Sequence, residues 1–524
     1  MSTQWKYFDG NRIKAAINKS GPFADYLFTG NRGLEWPKGS GKTSIFTAGI
    51  WIAGIHRPTG QIRTAVQDYE SEFQAGPIIG TFNTSTNDTT TLSNPSDGKY
   101  RVYKVHKADS DSAQDYRQWP GELGAPFLDL NGNGKWDEGV DKPKISGDQM
   151  LWSVYNDGYA AHHIPVAQTK PMGLEIHASY FGWDYGFLSD IMFIQWKIIN
   201  KSDAYYDSVY FGIFHDADLG YANDDATGVD RVRELAYIYN ADSSDDTVYG
   251  YASNPPACGI VLLESPHENT TGVDSAYFNG SWNYHYRNIH ISSYTTLLTF
   301  DCGECISPIP MSNIVYNDLQ GLKVDGLEYI DPHSHLSTKF VFSGDPVAKN
   351  GWYQTDSLSI GGSDVRGLLS SGPFTFAPND TQEVVAAIIM AQGENYLKSL
   401  TKLRLVTDMT REYFYGGYKY AEDPQKPDEI KPLPHEYFLD QNFPNPFNPK
   451  TTITFAVPDL GYSYATQLKV FDILGRTVAV LVNGPIPAGT YSREWDATGL
   501  NSGVYYYSLS HGGMRQTKKM ILVK

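Results

Sequence analysis

At 524 residues the chain exceeds one ordinary domain, and two to four modules are expected. Its 42 basic against 59 acidic residues leave a net charge of −17, which disfavours nucleic acid and anionic membrane surfaces as partners and suits a secreted, cation-binding protein. The 37 Tyr, 24 Phe and 11 Trp fit wide, half-buried β-sheets better than helices, and they also fit sugar stacking or self-association.

No apolar run reaches the roughly 20 residues of a membrane span, so no transmembrane helix is expected. The opening MSTQWKYFDGNRIKAAINKSG has no apolar stretch of the kind a signal peptide needs. Residues 1–95 read as a β and loop region of the body, in which Ser44–Ile55 is a buried strand. GSGKTS (Gly39–Ser44) has the look of a phosphate loop. Trp36 stands where that motif needs its first Gly, and a strand pattern follows where a helix should, so nucleotide binding is not expected. Asn83–Asn94 is a Thr-rich, solvated loop.

Residues 96–420 read as the β-rich main body. In FLDLNGNGKWDEGVD, Asp129, Asn131, Asn133 and Asp137 hold positions 1, 3, 5 and 9 of an EF-hand-type loop, Gly134 holds the turn, and the Lys135 carbonyl stands at position 7. Calcium takes about six to eight oxygens, so a loop that presents them at alternate positions can wrap one ion. Val140 occupies position 12 where the standard loop has Glu, so Glu138, Asp141 or Asp148 must complete the shell. The expectation is a free-standing calcium loop in a β context; the alternative is an Asx-rich turn network without metal.

A second oxygen-rich stretch follows, HDADLGYANDDATGVD. Asp216, Asp218, Asn223, Asp224, Asp225 and Asp230 crowd carboxylates that repel one another unless a cation joins them. Either a second calcium site or a solvated acidic turn accounts for it. His333 and His335, with Asp331, read as a polar loop rather than a zinc or iron site. Cys302 and Cys305 read as a local disulfide or idle thiols, and Cys258 as a small buried residue. The run QEVVAAIIMA is a buried strand, and Asn395–Phe414 repeats Leu397, Leu400, Leu403, Val406 and Met409 as one amphipathic helix. Residues 421–437, charged and Pro-rich, read as a linker.

Residues 438–524 contain TTITFAV, QLKVFDI, TVAVLV, TYSREWDA, GVYYYSLS and RQTKKMILV, short alternating segments closed by Gly, Pro or Asn turns. That is the pattern of a small antiparallel sandwich. The fold class expected is therefore mainly β: a large sandwich-rich body with one amphipathic helix, plus a C-terminal immunoglobulin-like sandwich.

This last segment resembles a known family. QNFPNPFNP (Gln441–Pro449), FDILGR (Phe471–Arg476), the AGTY, WDATGL and SGVYYY series and the terminal KKMILVK are similar to the C-terminal sorting domain, type A, of the type IX secretion system. The resemblance implies a sandwich that an outer-membrane translocon reads as an address, and that is usually cleaved after export or exchanged for a lipopolysaccharide anchor. It also implies a cleaved N-terminal signal, from which the opening residues depart. SIFTAGIWIAG, DLNGNGKWD, GDQMLWSVYNDG and SSGPFTFAPNDTQEVV resemble large secreted proteins that carry the same domain; they bring no activity with them.

No GxSxG elbow, HExxH, Cys–His pair in a suitable context or Walker loop is present, so no catalytic residue is named. The leading expectation is a secreted or cell-surface structural protein, stabilised by Ca2+, with the type IX machinery as partner and self-association through its sheets. A carbohydrate-binding surface module and an extracellular hydrolase of unknown class are the alternatives.

Overall fold

The computed structural model describes residues 5–25, 33–69, 71–87, 89–163, 166–248, 250–271, 275–278, 280–297, 310–359, 361–418, 437–457, 465–486, 489–511 and 514–524. Cys302, Cys305 and all but Tyr437 of the expected linker lie outside them. The fold is mainly β, with 46% strand and 11% helix. Two compact units emerge. One comprises Met1–Asp230, Glu234–Pro266 and Ile289–Val406; the other comprises Arg231–Arg233, His267–Asn288 and Thr407–Lys524.

The first unit is built on two antiparallel sheets. One runs in the order Trp5–Phe8, Lys14–Asn18, Leu34–Glu35, Thr43–His56, Tyr206–Ala217, Val365–Phe376, Ile291–Thr296, with Gln61–Val66 also paired to Thr43–His56. The other runs Asp225–Asp230, Leu235–Asn240, Ala257–Glu264, Thr381–Ala391, Ile191–Asn200, Leu174–Gly182, Gln149–Asn156, Gln74–Ala75, with Tyr103–His106 also on Gln149–Asn156. Ile50, Ile213 and Leu369 of the first sheet and Ile176, Trp196 and Ile388 of the second share one buried core. Residues 5–66 thus belong to the same sheet as strands from far along the chain.

Thr43–His56 shows why its sequence is continuously apolar. Ile50 and Ile52 enter the core shared by the sheets, while Trp51 and Ala53 join a second cluster with Val315 and Leu319 of the helix Met311–Leu319. A strand covered on both faces cannot alternate with polar residues. That helix was not expected from the sequence. The expected long helix forms at Tyr396–Tyr415, with the Asn395 side chain accepting the Lys398 amide at 3.0 Å to cap it. Leu400 and Leu403 are fully buried, and Leu403 lies where a side chain at Gly259 would collide with it, at 3.0 Å. Cys258 is a free, fully buried thiol whose pKa burial pushes up.

The C-terminal segment folds as a sandwich of a three-stranded and a four-stranded antiparallel sheet. The first is Phe438–Leu439, Lys450–Val457, Gly489–Asp496; the second is Thr477–Pro485, Ala465–Phe471, Gly503–His511, Met514–Leu522. Their alternating side chains, among them Ile453, Phe455, Val470, Tyr507 and Met520, make a core of their own.

Candidate functional site

The Asp216 carboxylate is placed by cross-strand register. Asp216 stands opposite Arg366 on one side and Thr47 on the other, near the end of Tyr206–Ala217. Asp364 just precedes Val365–Phe376, and Asp218 just follows Tyr206–Ala217, so strand ends converge. Asp216, Asp218 and Asp364 each offer an oxygen, all within 4.8 Å of one another. The Tyr69 hydroxyl donates to Asp216 at 2.7 Å. Arg366 reaches Asp364 at 3.1 Å, lies 3.6 Å from Asp216, and donates to the Tyr69 oxygen.

One guanidinium against three carboxylates leaves excess negative charge. Burial, then Asp216 and Asp364, push the Asp218 pKa up to about 7, against the pull of Arg366. Asp225 is fully buried; one oxygen accepts the Leu219 amide at 2.9 Å, and the other has no hydrogen-bond partner. Burial raises its pKa well above the carboxylate range, with Asp224, Asp218 and Asp245 adding to it. Burial, and then the charges of Asp245 and Asp242, bring Asp224 to about 6. An all-oxygen donor set of this charge suits a hard divalent cation, and the absence of His or Cys from the trio disfavours zinc.

Of the residues expected at this second site, Asp216 and Asp218 meet directly; the charge of Asp218 is felt at Asp225, and Asp224 acts on Asp225 rather than on the trio. Asp230 is held elsewhere, 3.6 Å from the Arg404 guanidinium. Arg366 and the adjoining Asp364 come in through the register of Val365–Phe376, and Tyr69 from the turn after Gln61–Val66, long-range placements that no local pattern encodes.

The Asp129 loop closes a two-stranded ladder, Phe127–Leu128 with Lys142–Pro143, so it stands free of flanking helices as expected. Asp129 accepts the amides of Gly132 and Gly134 at 2.7 Å each. Gly132, Gly134 and Gly139 take positive φ, which a side chain would resist. Asn131 and Asn133 donate to Asp137 at 2.7 and 2.5 Å. Asp141, nearly buried, accepts the amides of Leu130 and Asp137 and closes the loop. Lys135 donates its amide to Asn133. Glu138 follows Asp137 directly and is exposed to solvent. Asp148 instead accepts the Asp184 amide at 3.0 Å, which occupies it away from the loop.

Two other sequence features resolve as structural. The Glu35 carboxylate accepts the Gly39 and Gly41 amides at 2.9 and 2.7 Å, filling with its own charge the seat a phosphate would need. His333 pairs with Asp356 at 2.8 Å, and Asp331 caps the turn through the His333 amide.

In the C-terminal sandwich the motif residues are folding devices. Asn442 donates to the Pro444 carbonyl and the Thr451 hydroxyl, while its amide donates to Tyr507, whose hydroxyl donates to the Asp440 carbonyl at 2.6 Å. Asn445 accepts the Ile521 amide, the Phe447 amide donates to the Ile521 carbonyl, and the Phe447 carbonyl accepts the Val523 amide, so the NPFNP segment is tied to the terminal strand. Asp472 accepts the amides of Leu474 and Arg476 and shapes the FDILGR turn.

The fold and these oxygen-rich clusters define a β-sandwich body followed by a second sandwich. Residues 441–524 match the family described as "Secretion system C-terminal sorting domain". No curated protein matches the chain. Among solved structures, a polysaccharide lyase is similar at 8% identity and a TM-score of 0.21, covering 66% of this chain and 34% of its own. A dimeric latent PorU from Porphyromonas gingivalis follows at 11% and 0.14, covering 72% and 31%. PorZ, titled an essential bacterial surface component of the type-IX secretion system of the same organism, follows at 10% and 0.15, covering 72% and 43%. The chain thus spans less than half of each, and at these scores none defines the body. Among the described residues, no helix is long and apolar enough to cross a membrane.

Proposed function

We propose that the protein is a scaffold of the cell surface or extracellular space, exported by the type IX machinery and stiffened by calcium or a similar hard cation. The observation that carries this reading is the sorting-domain match, on a segment that folds around a core of its own. The converging Asp216, Asp218 and Asp364, and the Asp129 loop with its alternate oxygens, support the cation. Exposed tyrosines, among them Tyr159, Tyr205, Tyr221 and Tyr284, support self-assembly or contact with glycans. The test is export. A chain ending before Phe438 should fold its body and remain in the periplasm; normal appearance in the medium would contradict the role of the tail.

A second reading, a hydrolase, is supported by the convergence of Asp216, Asp218 and Asp364, where burial and the neighbouring carboxylates push the Asp218 pKa up to about 7, in the direction a general acid needs. Glycan hydrolysis that survives chelation but is lost in Asp218→Asn would establish it. Hydrolysis absent from both proteins leaves the scaffold.

A further inference from the structure

We infer that the segment His267–Asn288 and the last turns of the long helix form a seat for the sorting domain, which keeps the tail bound after the connection between them is cut. The segment departs from the end of Ala257–Glu264 and makes two small hairpins: His267–Asn269 with Tyr286–Asn288, and Ser275–Phe278 with Ser281–Tyr284. Neither joins a larger sheet. Both belong to the same compact unit as Thr407–Lys524, and Ser275–Phe278 lies against the tail strand Thr477–Pro485.

The seat is aromatic and charged. Tyr277 packs edge-on against Phe414 at 5.3 Å and Tyr415 at 5.2 Å, and the Arg411 guanidinium lies over the Tyr415 ring at 5.7 Å. Arg233 pairs with Asp408 at 2.9 Å, and Arg411 donates to the Arg233 carbonyl, which locks these groups to one another. Onto this comes the tail strand Gly489–Asp496, at the edge of its sheet. Arg493 has its Nε sealed from solvent, and the phenols around it are Tyr491 of its own strand with Tyr415 and Tyr277 of the seat. The charges around Tyr491 include Arg411, Asp408 and Glu412.

An arginine partly sealed among aromatic rings is the kind of anchor that contributes strongly to interface energies. An edge strand also offers a row of backbone groups that a natural protein covers. The tail therefore has a second partner besides the export machinery, namely the chain that carries it. Cutting the covalent link does not by itself release it, and its departure uncovers Tyr277, Tyr415 and Arg411.

The test uses the full chain with a specific protease site placed in AEDPQKPDEIKPLPHE (Ala421–Glu436). After cutting, gel filtration at about 1 µM should show both fragments in one peak, as a Kd below that value requires. Arg493→Glu and, independently, Tyr415→Ala should weaken the association at least tenfold while circular dichroism of the uncut chain stays unchanged. Tyr415→Ala lies outside the tail core, so it reports on the seat even where Arg493→Glu disturbs the sandwich. Wild-type fragments that separate, or both variants co-eluting as tightly as wild type, would overturn the inference.

Discussion

His215 is fully buried and stacks on Tyr294, and neither of its ring nitrogens has a hydrogen-bond partner. Burial brings its pKa from 6.5 down to about 4. The unfolded chain thus binds the proton more readily, so the stability that neutral His215 contributes is present above pH 6.5 and is lost as pH falls toward 4. That loss should amount to about 3 kcal/mol, and His215→Leu should flatten the stability profile across that window in denaturant melts. Asp218 runs the other way. Its raised pKa makes the folded state hold the proton more tightly, so its contribution is present below pH 3.8 and is lost as pH rises to about 7. In chelator at pH 8, Asp218→Asn should therefore melt higher than wild type; a lower melting temperature would contradict the account. Neither residue announces itself in the sequence. His215 is one of 13 histidines, and its burial is a product of the fold.

At the scale of elements, legibility followed the range of the interactions. The tail strands, the buried strands Thr43–His56 and Thr381–Ala391 and the helix Tyr396–Tyr415 are written in local periodicity, and each lies within a few residues of its expected span. The Asp129 loop was readable because all its oxygens lie in one short run. The Asp216 cluster is only half written in local sequence. Asp216 and Asp218 are neighbours in sequence, but Asp364 and Arg366 arrive through the register of Val365–Phe376, which no local pattern encodes. The helix Met311–Leu319 spans only 9 residues, too few to display a repeat. In the tail, Tyr507 donates to the Asp440 carbonyl and accepts from Asn442. Tyr507→Phe leaves the buried Asn442 amide unserved and removes the bond to the Asp440 carbonyl, and should cost about 1–3 kcal/mol in thermal or denaturant melts. A neutral result would show that these bonds do not hold the NPFNP segment in place.

Over the whole molecule, a sorting domain follows a body in which Asp216, Asp218 and Asp364 converge. The net charge of −17 is tolerable in a folded chain if the buried share of it is neutralised, by protons in chelator or by a cation outside the cell. A cation that binds only the folded state stabilises it by mass action, by about 2.7 kcal/mol at a concentration 100 times its Kd. Differential scanning calorimetry of the full chain at pH 7.5, in millimolar calcium and then in excess chelator, tests this most directly. The account predicts a transition several degrees higher in calcium, with most of the difference lost in Asp218→Asn. Superimposable curves in calcium and chelator would contradict it.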